Sequence, residues 1–360
     1  MISWRHVLLL VSLLCLQTGC YYAQAVSGQL GVLARRQPIA QVLADSDTPE
    51  QLANRLRLVQ EARSFSVREL GLPDNDSYRS YADLERDYVV WNIFAAPEFS
   101  VTAKQWCYPI AGCVSYRGYF KEAAARRAAE KLQQRGYDVF VGGVAAYSTL
   151  GRFDDPVLST MLRWDDVQLV AVLFHELAHQ VLYVKDDTGF NEAFASAVEE
   201  FGVERFLASR DSGELYASYL ERKALRQQLT AKLQEAREDL RTYYLETLDD
   251  DEKRLLKEHR LEQLGNEVRT LLNSAGRNPD AWLALPLNNA RLLSVSLYEE
   301  HVPAFRAMLA NCAEELACFY AEARRISRFE RAERDAYLEE LATRCDACFG
   351  STTGNSPLRR

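Results

Sequence analysis

The stretch Asp165–Glu204 reads DDVQLVAVLFHELAHQVLYVKDDTGFNEAFASAVEEFGVE, and its periodicity decides the fold around it. Val167, Val170, Ala171, Phe174, Leu177, Ala178, Val181 and Leu182 recur at three- and four-residue steps, the repeat of one buried helix face. Asp165 or Asp166 can cap its start, and Gly189 falls in the turn that follows. A second helix is expected from Asn191, turning Phe194, Ala197, Val198 and Phe201 inward, with Glu192 in its first turn and Gly202 as a mild flaw. Inside the first helix lies His175-Glu176-Leu177-Ala178-His179. Residues i and i+4 stack on one helix face, so His175 and His179 can grip one metal ion while Glu176 stands beside the open coordination position. Zinc accepts imidazole and carboxylate ligands and keeps a place for water where it is catalytic. A carboxylate beside that water can take its proton as the water attacks a carbonyl.

A histidine on an apolar helix face is, taken singly, more often structural than a ligand. This chain, however, has only five His in 360 residues, and two of them bracket a Glu. A turn and a second helix opening with a carboxylate follow, and that context favours Zn2+ over coincidence. Glu192 is the candidate third ligand, against a plain helix-start carboxylate favoured by the helix dipole. Its rivals are Glu199 and Glu200. Glu199 lies on about the same face as Glu192 and fits a supporting position behind a ligand; Glu200 is expected in solvent.

HELAHQ followed by NEAFA resembles the glutamate-zincin metallopeptidases. The wider text resembles the bacterial putative aminopeptidase family: Trp106-Cys107-Tyr108-Pro109, YRGYF at 116–120, AAYSTLGRFDDP at 145–156, then HELAHQ and FNEAFA. The resemblance runs from about Cys20 to at least Arg210. It implies a lipoprotein metallopeptidase acting on a peptide or protein, with Zn2+ on His175, His179 and Glu192 and Glu176 as the base. The GxMEN-type motif of well-studied zinc aminopeptidases does not occur, and the gap from the second His to the third ligand is shorter than theirs.

Residues 1–19 read as a targeting segment, with Arg5 and His6 before an apolar Val7–Leu16 too short for a permanent span. The run ends Leu16-Gln17-Thr18-Gly19-Cys20, similar to the bacterial lipobox whose Cys is acylated after cleavage, although Gln17 stands where an aliphatic residue is usual. Lipidation of Cys20 is preferred over simple secretion. Tyr21 after the Cys, where Asp is absent, points to the outer membrane facing the periplasm, and several acyl chains anchor stably. Setting aside Cys15 and Cys20, six cysteines remain, and an even number in an exported chain suggests disulfides. Cys107 and Cys113 suit a local loop closure. The other four, Cys312, Cys318, Cys345 and Cys348, cluster late and could join the C-terminal helix to its tail, their pairing left open, with the CxxC at 345–348 a disulfide in preference to a second zinc site. A net charge of −8 and the lack of a basic stretch interleaved with aromatics argue against nucleic acid.

Elsewhere, helices are expected over 21–36, 38–44 and 49–70, the last capped by Thr48 with Pro49 at its first position. Asp87–Ala95 and Asp138–Val144 are β-rich, and the amphipathic helix 121–135 between them ends at Gly136. Gly142–Ser148 is the candidate edge strand for a substrate laid on as an added strand. Tyr147 and Tyr116 are candidate donors to the oxyanion of a tetrahedral intermediate, or wall residues. Arg117 and Arg152 would hold a peptide carboxylate or, preferably, pair with Asp154 or Asp155. Two long charged helices, 212–248 and 251–275, form an antiparallel hairpin with His259 in solvent. Asn288, Asn289 and Tyr298 are candidates to line the cleft, and His301, the one other His with a conceivable catalytic use, reads first as structural. A last helix covers Val302–Arg344, and the tail from Gly350 is loose.

The expectation is therefore a mainly helical α+β fold. A zincin-like core with a small sheet covers 20–210, helices over 211–349 pack on it, and a tail occupies 350–360. The function expected is a zinc-dependent peptidase, an aminopeptidase, in the cell envelope. The alternative is a non-catalytic, lipid-anchored assembly protein with a structural zinc or none, binding through its helical hairpin.

Overall fold

A computed structural model describes residues 21–108, 112–210, 212–296 and 301–349. Cys20, Tyr298, the tail 350–360 and the side chains of Cys345 and Cys348 lie outside the described residues. The fold is mainly helical with small sheets, the α+β class expected.

Helix α1 (21–33) leads into β1 (Arg36–Pro38), α2 (Ile39–Ala44) and α3 (Glu50–Arg68). Thr48 does not cap α3, whose N-cap position is Pro49. The Thr48 hydroxyl instead reaches back to the Val42 carbonyl at 2.6 Å, because the last carbonyls of α2 have no helical partner. Next come β2 (Ser80–Ala82), β3 (Val90–Pro97), β4 (Trp106–Tyr108), β5 (Gly112–Val114) and β6 (Arg117–Tyr119). After α4 (Glu122–Gln133) follow β7 (Tyr137–Val144) and β8 (Val157–Leu158). The main sheet has the order β6-β3-β7, antiparallel throughout. Successive strand residues face opposite sides, so Ile93, Ala95 and Val139 pack on Ala125 and Ala129 of α4 while Phe94 faces Tyr116. A small second sheet joins β1, β2 and β8, and β4–β5 is a hairpin bridged by Cys107–Cys113, the local closure expected.

Helix α5 (Asp166–Ala178) starts on the Asp165 carboxylate, which accepts from the Gln168 backbone. It stops at His179, before the end of its apolar periodicity; Val181 and Leu182 belong to the turn and still pack on the core. Helix α6 (Thr188–Ser209) begins earlier than expected, because Asp187 caps it by accepting from the Phe190 N–H. Glu192 is thus in the second turn, beyond the range over which a helix dipole favours a carboxylate. Gly202 is no flaw. A Cβ there would lie 2.7 Å from Leu70 Cδ1 and 2.8 Å from Phe174 Cδ2, so only glycine lets α6 cross this closely.

Helices α7 (Gly213–Leu245) and α8 (Asp250–Ser274) form the expected hairpin around Leu233, Leu240, Leu264 and Val268, with His259 exposed. After the short α9 (Asp280–Leu283), α10 (Asn289–Ser296) lies on β3 and β7. Asn288 and Asn289 do not line a cleft: Asn288 donates to the Val139 carbonyl, and buried Asn289 donates to the Glu98 carbonyl at 2.8 Å. Both amides satisfy backbone groups that the sheet leaves unpaired. The single last helix expected is three, α11 (Val302–Asn311), α12 (Leu316–Ile326) and α13 (Arg331–Phe349). Left-handed backbone at Ala313 and Glu314 ends α11, and Cys312–Cys318 bridges the break, a local link between two helices and not a tie from helix to tail. Phe305 and Phe319 pack on Phe194 of α6, so these helices share the core of the HExxH helix. His301 sits 3.9 Å from Asp335 at the start of α11, in the structural setting expected.

Replacing Gly202 with Ala should cost about 1–3 kcal/mol through overpacking, although alanine is the better helix former by about 1 kcal/mol. Denaturant unfolding reads this directly; an unchanged or higher midpoint would mean that the two helices have room to part.

Candidate metal centre

Three ligand atoms, one each from His175, His179 and Glu192, lie within 4.8 Å of one another. His175 Nε2 is 3.2 Å from both His179 Nε2 and the Glu192 carboxylate, and His179 Nε2 is 3.7 Å from that carboxylate. Zinc–ligand bonds of about 2.0–2.1 Å in tetrahedral geometry separate ligand atoms by about 3.3 Å, so the donor set fits such an ion in spacing as well as in chemistry.

Local sequence produces this arrangement. His175 lies in the last turn of α5 and His179 at its C-cap, one helical turn apart. The chain must then reverse within a few residues to bring Glu192 back. Asn191, 2% exposed, closes that reversal: its carbonyl accepts from the Val184 N–H and its amide donates to the Val184 carbonyl, each at 2.7 Å. The Asn of the NE pair therefore shapes the loop that aims the Glu. Asp187, beneath the same loop, is held by buried Arg334 of α13. From the other side Asp186 accepts from the Cys113 N–H, and its Oδ1 would lie 2.0 Å from any Cβ at residue 112, where glycine at φ +75° is needed.

Glu199, two turns along α6 from Glu192, stands 3.1 Å from His175 Nδ1. A carboxylate there fixes the Nδ1–H tautomer and turns the Nε2 lone pair toward the other two ligand atoms. Glu200 is not in solvent; it pairs with Arg306 of α11 and, at 3.1 Å, with Lys223 of α7, because its side of α6 is covered by those helices. Burial pushes the Glu192 carboxyl up, but hydrogen bonds and charge from the two imidazoles outweigh this and hold it well below the usual carboxylate range. Burial lowers the His175 pKa, and Glu192 and Glu199 reverse the sign and raise it. Burial likewise raises Glu176, against the two imidazoles. These five groups form one buried charge cluster.

The two candidate tyrosines part company. Tyr116 lies within the field of Glu192 and Glu176, and burial together with those carboxylates raises its hydroxyl pKa. Tyr147 gives its hydroxyl to Gln29 of α1 and packs on Phe120. The edge strand ends at Val144, and the space beside Gly143 is filled by the Tyr88 ring. Arg117 stacks on Tyr21 at 4.0 Å in place of the expected salt bridge, since α1 lies across β6.

A family model described as putative aminopeptidase matches residues 20–338. The chain belongs to that family. The description is that of a peptidase, which acts on peptides. No curated protein and no solved structure matches the chain.

Two tyrosines near the cluster carried no signal in the sequence. Tyr183, which follows the apolar Val181 and Leu182, is 39% exposed, and Glu192 helps burial to raise its pKa. Tyr78, in a polar turn at φ 63°, is 2% exposed; its hydroxyl has no hydrogen-bond partner among the described residues and lies in the field of Glu176 and Asp155. Gln180, the last residue of HELAHQ, bonds to Asn75 and Ser77 and so ties that turn to the end of α5.

Asp155 accepts from the Thr149 N–H and hydroxyl, yet burial pushes its pKa from 3.8 up to about 6. A raised pKa means that the folded chain holds a proton which the unfolded chain has already released. Its contribution to stability therefore falls as pH rises from about 4 to about 6. Asp155→Asn should remove that slope and stabilise the protein at neutral pH by roughly 2–3 kcal/mol. Unfolding of both chains across that range checks it; parallel pH profiles would contradict it.

Proposed function

We propose that the protein is a zinc-dependent peptidase of the cell envelope, acting as an aminopeptidase, with His175, His179 and Glu192 as metal ligands and Glu176 as general base. One observation carries this: two imidazoles and a carboxylate from two crossing helices converge within 4.8 Å. Zinc bound there supplies Lewis acidity and lowers the pKa of water at its open position. Glu176 takes the proton of the water that attacks the peptide carbonyl and returns it to the leaving amine. Tyr116, whose hydroxyl burial keeps protonated, would donate to the oxyanion. Glu199 keeps His175 in the ligating tautomer. Acylation at Cys20 would hold the enzyme on the outer membrane, facing the periplasm.

Glu176→Gln should reduce kcat by about 10²- to 10⁴-fold while one zinc per chain stays bound, measured by metal analysis beside hydrolysis of a peptide library. His175→Ala or His179→Ala should lose both metal and activity. Glu199→Gln should weaken zinc about 10- to 100-fold in a chelator competition. A zinc-bearing wild type that cuts no peptide, with free or blocked amino terminus, would replace the enzyme with a binding protein.

A further inference from the structure

The outward face of α1 is uncharged and partly apolar. The segment 21–34 contains no Asp, Glu, Lys or Arg, in a chain that is 26% charged. Its inward residues pack on the folded body. Tyr21 stacks on Tyr108 and lies under Arg117, Gln24 accepts from the Phe120 N–H at 3.2 Å, and Gln29 takes the Tyr147 hydroxyl. Opposite them, at four-residue steps, Tyr22, Val26 and Leu30 are 42%, 58% and 58% exposed. Ala23, Ser27 and Gly31 complete the same exposed face. The exposed positions of α3, by contrast, include Glu50, Arg57 and Glu61, as a solvated helix face requires.

We propose that this face, Tyr22, Val26 and Leu30, lies in the headgroup region of the phospholipid bilayer to which the chain is tethered. This rests on the reading of Cys20 as acylated. The argument is one of chain length: Tyr21, the residue bonded to Cys20, already packs on Arg117 of the folded body, so no linker separates lipid from fold. Acyl chains on residue 20 therefore bring the bilayer to the start of α1, and the uncharged stripe runs on from there. Tyrosine favours the membrane interface, and apolar side chains on one helix face bury into the acyl boundary. The full sequence carries a net charge of −8, so apolar contact and not attraction to anionic lipid holds the face down. Arg117 follows Tyr116, which lies in the field of Glu192, so the anchored helix braces the strand that starts there. The bilayer contact thereby fixes which way the site faces, where a bare lipid tether would let the body swing.

The test uses the mature chain exported behind a non-lipoprotein leader with Cys20→Ser, so that acylation does not mask weak binding. Co-sedimentation with phosphatidylcholine vesicles should show partitioning that high salt leaves unchanged. Tyr22→Ser/Val26→Glu/Leu30→Glu should reduce it by about tenfold with circular dichroism preserved. If the triple variant does not fold, Val26→Glu alone should still weaken binding measurably. Absence of binding, binding only to anionic vesicles and lost in salt, or indifference to the substitutions would overturn the proposal. So would a solution dimer that the substitutions dissolve, which would assign the face to a second copy. The readout needs no hydrolysis, and fatty-acid incorporation at Cys20 is scored separately, so failure of the peptidase or lipidation reading is distinguishable from failure of this one.

Discussion

Everything at the centre depends on two helices crossing at a distance that only a missing side chain permits. Gly202 removes the Cβ that would strike Leu70 and Phe174, and the α5–α6 reversal is closed by the Asn191 amide on the Val184 backbone. With spacing and turn both fixed, the Glu192 carboxylate stands 3.2 Å from one imidazole nitrogen and 3.7 Å from the other. Core packing and site geometry are here one constraint, because the residues that set the crossing also set the ligand spacing.

The same closeness creates an electrostatic demand. Three carboxylates and two imidazoles share a largely buried space, where unpaired charge is costly. The imidazoles offset it in part, as the opposing shifts of Glu192 and His175 indicate. A bound cation would offset it further, which supports the metal-binding proposal on grounds separate from motif and spacing.

The surrounding elements hold this cluster from several sides. Arg334 of α13 neutralises the Asp187 cap of α6, Arg306 of α11 and Lys223 of α7 take Glu200, and the disulfide hairpin leans on Asp186. Residues far apart in sequence therefore hold α6 at its start and at Glu200. The C-terminal helices are part of that framework, since Phe305 and Phe319 complete the core against Phe194.

What the sequence determined by itself was what local periodicity and spacing can encode: the HExxH helix, the second helix with its carboxylate, the α7–α8 hairpin, the α4 helix between strands, and the Cys107–Cys113 closure. An i, i+4 pair faces one way on any helix, so the two histidines were legible without coordinates. Only the tertiary structure decided the rest. Gly202 read as a flaw because its neighbours, Leu70 and Phe174, are distant in sequence; Glu200 read as solvated because Arg306 and Lys223 are. Tyr147 and Tyr116 read alike until folding gave one to Gln29 and set the other in the field of Glu192. Periodicity records which face of an element is apolar, whereas the partner that meets each face is chosen by long-range packing.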